Sequence, residues 1–119
     1  MANINTSISD LLDIQGATGA CIVDYTSGMT LGADGSGVDL ELAAAGNTEV
    51  VRAKMTTMKT LGITGDINDI LITLEDQLHI IRPTSKHPDL FIYLVLNKSK
   101  ANLALARRKV ESIEEALEV

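Results

Sequence analysis

From Leu90 to Leu96 every residue is apolar, Leu-Phe-Ile-Tyr-Leu-Val-Leu, and this run restricts the fold more than any other stretch of the chain. A strand with one wetted face alternates apolar and polar residues, whereas an unbroken apolar run of strand length is buried on both faces. The run is far too short to span a bilayer. It therefore belongs in the middle of a sheet that carries helices on each side.

The other segments supply the rest of such a layered domain. Ile4, Ile8, Leu11 and Leu12 recur at helical spacing, and Ser7 followed by Asp10 reads as a capping-box-like start, which together predict a short N-terminal helix. Thr18 to Val23 and Met29 to Ala33 flank Asp24-Tyr25-Thr26-Ser27-Gly28 and read as a hairpin. Ser36 with Asp39 resembles a cap ahead of a long helix to about Thr60, which Leu61-Gly62 closes. Three strands follow, Ile67 to Leu74, Leu78 to Arg82 and Leu90 to Leu96, joined by connections short enough to require antiparallel pairing. Leu103, Ala106, Val110, Ile113 and Leu117 then line one side of an amphipathic terminal helix between Ala101 and Glu118. Its glutamates lie toward the C-terminus, against the macrodipole, with no reason visible in the sequence. The order α, β, β, α, β, β, β, α describes one α+β domain over residues 1–119, built on a single antiparallel sheet.

Charge and composition narrow the function. A net charge of −6 repels phosphate backbones and anionic lipid surfaces, which argues against nucleic acid and against membrane association. Aromatic residues make up 3% of the chain, with no Trp, so there is little material for base stacking or for an aromatic-walled pocket. The single cysteine, Cys21, sits in the apolar run Ala20 to Val23 and is expected to be buried and inert. Met1 to Asp10 carries neither a basic n-region nor a long apolar h-region, and the expected address is a reducing cytoplasm.

Several motifs invite a chemical reading and fail it. Gly32 to Gly37 lies between a strand and a helix, as phosphate-binding loops do, yet it lacks the Walker lysine and is followed by Asp39 and Glu41. Taken as a calcium loop with Gly37 as its turn glycine, it would begin at Gly32 and end at Ala43, so both key ligands are missing. His79 and His87 have no Cys, His or Glu at metal-ligand spacing. No serine lies in a nucleophile elbow. The expectation is a protein with no catalytic residue, no metal and no cofactor.

The central helix is more informative. Leu40, Ala44, Val51, Met55 and Met58 form a bulky stripe suited to a sheet, while Ala43, Gly46, Val50, Ala53 and Thr57 form a second stripe of small residues. Gly46 costs about 1 kcal/mol relative to Ala inside a helix, and its place on the second stripe suits close approach of another helix. Ile70 to Leu74 contains no Lys or Pro and would be hazardous as a free sheet edge. Pairing across a two-fold axis would cover both features, which makes Ala43, Gly46, Val50, Ala53, Thr57, Ile70 and Ile72 the candidate dimer interface. The remaining helix face, Glu41, Thr48, Glu49, Arg52, Thr56 and Lys59, is a polar mixed-charge surface suited to a reversible partner.

Gly19-Ala20-Cys21-Ile22-Val23-Asp24 with the turn glycine Gly28, the alanine-rich central helix, Leu74-Glu75-Asp76-Gln77-Leu78-His79-Ile80-Ile81-Arg82-Pro83 and Ala101-Asn102-Leu103-Ala104-Leu105-Ala106-Arg107 together resemble the roadblock family of dynein-light-chain-related modules. The resemblance spans nearly the whole chain. It implies a five-stranded antiparallel sheet with the central helix on one face and the terminal helices on the other. It also implies a homodimer in which central helices pair antiparallel and the third strands join two sheets. The partner it implies is a Ras-like small GTPase, and the polar face of the central helix supplies Glu49, Arg52, Thr56 and Lys59 as the candidate contact residues. Stimulation of hydrolysis would then come from holding the GTPase's own residues in place, with Arg52 the one arginine of the central helix that would make an arginine finger instead. Two alternatives stand beside it: a small-molecule sensor, and a structural adaptor of a larger complex with no GTPase.

Overall fold

The structure, a computed structural model, describes residues 2–119. Its elements are α1 (Ile4–Leu12), β1 (Ala17–Asp24), β2 (Met29–Gly35), α2 (Leu40–Thr60), β3 (Ile70–Thr73), β4 (Gln77–Pro83), β5 (Leu90–Asn97) and α3 (Leu103–Ala116). The five strands form one sheet in the order β2-β1-β5-β4-β3, and every neighbouring pair is antiparallel. The all-apolar strand lies at the centre with Leu90 to Leu96 buried, as a run without a polar face requires.

Strand alternation divides the core into two layers. Cys21, Val23, Ile81, Phe91, Tyr93 and Val95 face α2, which covers them with Ala44 and Val51 and, at its margins, Leu40 and Met55. On the opposite side Ile22, Ile80, Ile92 and Leu94 meet Ile8 and Leu11 of α1 and Ala106 and Val110 of α3. Cys21 is fully buried as expected, and burial pushes its thiol up to about 12, which removes the thiolate needed for reactivity.

The helix starts differ from the expected ones. α1 is capped by Asn3, whose Oδ1 accepts from the Thr6 amide at 2.8 Å, so Ser7 lies inside the helix and not at its start. It is buried there, with a hydroxyl that has no hydrogen-bond partner among the described residues. Asp39, not Ser36, caps α2, accepting from the Leu42 amide at 3.2 Å. Gly62, with φ of +71°, closes that helix in the left-handed conformation, and the Ile63 amide returns to Met58 O at 2.9 Å. The glycine-rich stretch before α2 serves the chain path. Gly35 has φ of +98°, and a Cβ there would strike Thr18 O and come within 2.7 Å of the Gly19 Cα.

The third strand is shorter than Ile67 to Leu74 because the segment before it is held elsewhere. Asp69 accepts two hydrogen bonds from Arg107 of α3, at 2.9 and 3.1 Å, which draws residues 67–69 away from the ladder. One glutamate of α3 also finds its reason. Glu114 is 4% exposed and accepts from Arg82 Nε at 2.5 Å and from the Ser85 amide and hydroxyl at 3.0 and 2.9 Å. Burial alone would raise its pKa, but the bonds from Arg82 and Ser85 outweigh that and hold the carboxyl below its ordinary value.

Candidate functional site

The two edges of the sheet are unequal. Along β2 the register slips opposite Ile22 and Val23, leaving Leu31 as the extra residue of a bulge, and the Asp34 carboxylate caps the Gly35 amide at 2.8 Å. A bulge and a carboxylate on the outer strand are both devices that blunt an edge. β3 has neither. Its register with β4 runs unbroken from Ile70 opposite Ile81 to Thr73 opposite Leu78, with Ile70 and Ile72 half-buried on the α2 side.

The placement of α2 leaves its small-residue stripe on that same side. One flank of the helix is tied to the β1–β2 turn: Thr48 is buried, a Cβ on Gly28 would meet Ala45 and Thr48 at 3.7 Å, and Arg52 donates to Tyr25 O at 2.5 Å and Thr26 O at 2.9 Å. The opposite flank therefore looks toward β3. Gly46, Val50, Ala53 and Thr57 are exposed and Ala43 is half-buried, while Leu61 and Ile63 just past the helix are 64% and 51% exposed. A Cβ placed on Gly46 meets nothing within 4 Å, so no contact within the protomer requires glycine there. An exposed stripe of small residues and an outer strand edge thus lie side by side.

The outward face of α2 needs one correction and one refinement. Thr48, expected to face solvent, is buried and donates to Ala44 O at 2.7 Å. Its position, one turn from Ala44 and Val51, lies within the sheet-facing stripe once the helix is rotated to seat both. Arg52 is 45% exposed, yet its guanidinium is bound to the turn carbonyls and to Glu49 at 3.2 Å, so it secures α2 and does not project as a finger. Glu41, Glu49, Thr56 and Lys59 are exposed.

The sequence reading missed two polar clusters. Arg82 and Glu114 line a recess of about 340 Å³ where β4, α2 and the 66–68 segment meet. Gln77, His79 and Tyr93 form a hydrogen-bonded line on the α2 side of the sheet, with Asn47 reaching it from the helix. Neither has a signal in spacing, since Arg82 and Glu114 are 32 residues apart and His79 and Tyr93 14. Among the described residues no group of three or more His, Cys, Asp or Glu side chains is placed to hold a metal, and no helix is long and apolar enough to cross a membrane.

No protein-family model matches the sequence, and no curated protein matches it. Solved structures do match. A roadblock/LC7 domain from Streptomyces avermitilis superposes with a TM-score of 0.82 at 13% identity, over 97% of this chain and 94% of that one. The chain has the roadblock/LC7 fold. MglB of Myxococcus xanthus gives 0.82 at 15% identity over 94% and 89% of the two chains. The gliding protein MglB of Thermus thermophilus gives 0.78 at 18% over 92% and 82%. At these identities the likeness is one of fold: the element order, the sheet and the helices on both faces implied by the sequence resemblance are those of roadblock structures.

Proposed function

We propose that the chain is a non-catalytic cytoplasmic scaffold that pairs with a second copy of itself and docks a Ras-like small GTPase on the outer face of the paired α2 helices. The observation that carries the pairing is the unblunted β3 edge beside an exposed seam of small residues on α2. Charge supports an antiparallel arrangement. Asp39, Glu41 and Glu49 precede the middle of the helix, and Arg52, Lys54 and Lys59 follow it. Two antiparallel copies set each acidic half beside a basic half, and two parallel copies oppose like charges.

The same arrangement, centred on Val50 as the small-residue stripe is, brings Ala43 of one protomer opposite Thr57 of its partner. Ala43 and Thr57 of one protomer are about 21 Å apart at 1.5 Å per helical residue, so a disulfide between cysteines at these positions forms only across two chains. In the Ala43→Cys, Thr57→Cys variant, mild oxidation with diamide is expected to give a covalent dimer. A wild-type monomer by light scattering at high micromolar concentration would remove the dimer.

The GTPase reading rests on the family resemblance and on the polar, mixed-charge outer face of α2, which suits a reversible contact. Stimulated hydrolysis would proceed by holding the GTPase's own residues, since Arg52 is bound to the β1–β2 turn. The test is affinity for a Ras-like GTPase of the same genome loaded with GDP or a GTP analogue. Tighter binding of the GTP form is expected, weakened about tenfold or more by Thr56→Glu with Lys59→Glu. No binding in either state removes the partner class, and unchanged affinity in the double variant removes the surface.

A further inference from the structure

On the α2 side of β4 and β5 the polar line described above has a fixed direction. The Gly37 carbonyl can only accept, so the group 3.2 Å from it is the Gln77 amide nitrogen, and Gln77 Oε1 faces His79. His79 Nε2, 2.9 Å from that oxygen, therefore carries the ring proton. Nδ1 is then bare and accepts from the Tyr93 hydroxyl at 3.0 Å. Asn47 of α2 lies beside the Tyr93 hydroxyl and anchors to Ala43 O through Nδ2 at 2.8 Å. The line thus joins β5, β4 and the loop that leads into α2, with Asn47 of α2 beside it, and each of its hydrogen bonds has one donor facing one acceptor only while His79 is neutral.

We infer that His79 has to be neutral for this line to hold, so that protonating it loosens the α2 flank against which a second copy packs and makes the pairing of protomers sensitive to pH. The inference rests on the proposed dimer. A proton on Nδ1 would face a hydroxyl that already points its own proton there. Tyr93 is almost fully buried, so a hydroxyl turned away from His79 finds no water in exchange. No carboxylate stands by to stabilise the cation, because the ion pairs among the described residues are Arg52–Glu49, Arg82–Glu114 and Arg107–Asp69.

The groups facing His79 are Ile72 from β3, Tyr93 and Val95 from β5, and Gln77 on its own strand, with Asn47 of α2 and Cys21 of β1 behind Tyr93. Only Tyr93 and Cys21 ionise, and burial pushes each up to about 12, so both stay neutral near pH 7. Burial likewise lowers the His79 pKa from its ordinary 6.5. The folded state then binds fewer protons than the unfolded one. Stability is full above pH 6.5 and falls as pH drops below that value toward the folded-state pKa. A second copy over this flank removes more water from the ring and increases the preference for the neutral form.

The experiment uses the full chain and measures the dimer dissociation constant by sedimentation and the melting temperature between pH 7.5 and 5.5, for wild type, His79→Gln and His87→Gln. A dimer carries the ring twice, so the wild-type dissociation constant is expected to rise as pH falls across this range, by the square of the change that one ring produces. His87→Gln is expected to follow wild type, and His79→Gln to be flat. An unchanging wild-type constant, or a His79→Gln protein that keeps the wild-type slope, overturns the inference. A wild-type monomer at every pH removes the dimer reading. The line is then judged by melting: a fall below pH 6.5 in wild type but not in His79→Gln upholds it, and equal behaviour overturns it.

Discussion

Gly46→Leu tests the proposed dimer because it is expected to act on the protomer and on the pairing with opposite sign. Within one protomer a side chain at this position projects into open space, with nothing within 4 Å of its Cβ. Replacing a glycine inside a helix by leucine then stabilises the protomer by about 0.8 kcal/mol, or roughly 3 °C in melting temperature for a domain of this size. Across the proposed antiparallel helix pair the same side chain would enter a seam of Ala43, Val50, Ala53 and Thr57, where close approach depends on small residues. Overpacking costs about 1–3 kcal/mol per site. The symmetry of the pair repeats it, so the dissociation constant is expected to rise by at least about 30-fold, taking roughly 2 kcal/mol as the lower bound. Sedimentation across a concentration series, with melting curves recorded at low concentration, reads both quantities. A variant that melts higher and dimerises as tightly as wild type would show that the seam is not the interface, and one that melts lower at low concentration would refute the account of open space around Gly46.

Arg82→Met strands the Glu114 carboxylate, which is 4% exposed and keeps only its two Ser85 donors. A loss of about 3 kcal/mol at pH 7 is expected, and melting at pH 4.5 is expected to show a smaller deficit, because the unpaired buried carboxyl takes up a proton; an equal deficit at both pH values would contradict this. In wild type the Glu114 pKa is held below 4.5, so its contribution is present above that pH and is lost as pH falls through the lowered value. Arg52→Ala removes the bonds to Tyr25 O and Thr26 O and is expected to cost about 1 kcal/mol, with faster amide exchange confined to the β1–β2 turn; unaltered exchange there would mean that the arginine does not secure it. Cys21 is expected to resist alkylation in the native protein and to label at the denatured rate only after unfolding, and rapid native labelling would contradict its burial.

Periodicity alone placed every element of this chain in order. The apolar run at Leu90 to Leu96 identified the central strand, and two stripes on the long helix separated the sheet-facing residues from the exposed ones. Alternation and helical spacing report burial, a property each residue carries locally, so these features are readable without coordinates. The same local signal left Thr48 on the wrong face, because a threonine whose hydroxyl bonds back to its own helix, here Ala44 O, is buried without appearing apolar. It also extended the third strand to Ile67, since no pattern announces that Asp69 turns to Arg107, 38 residues away. Tertiary structure alone decided the pairings that join distant segments: Arg82 with Glu114, Arg52 with the β1–β2 turn, and the line from Tyr93 through His79 to Gln77 and the Gly37 carbonyl. Each of these depends on where the sheet order sets β4 beside β5 and how α2 crosses β1 and β2. That geometry comes from packing whole elements together, and no spacing of residues along the chain encodes it.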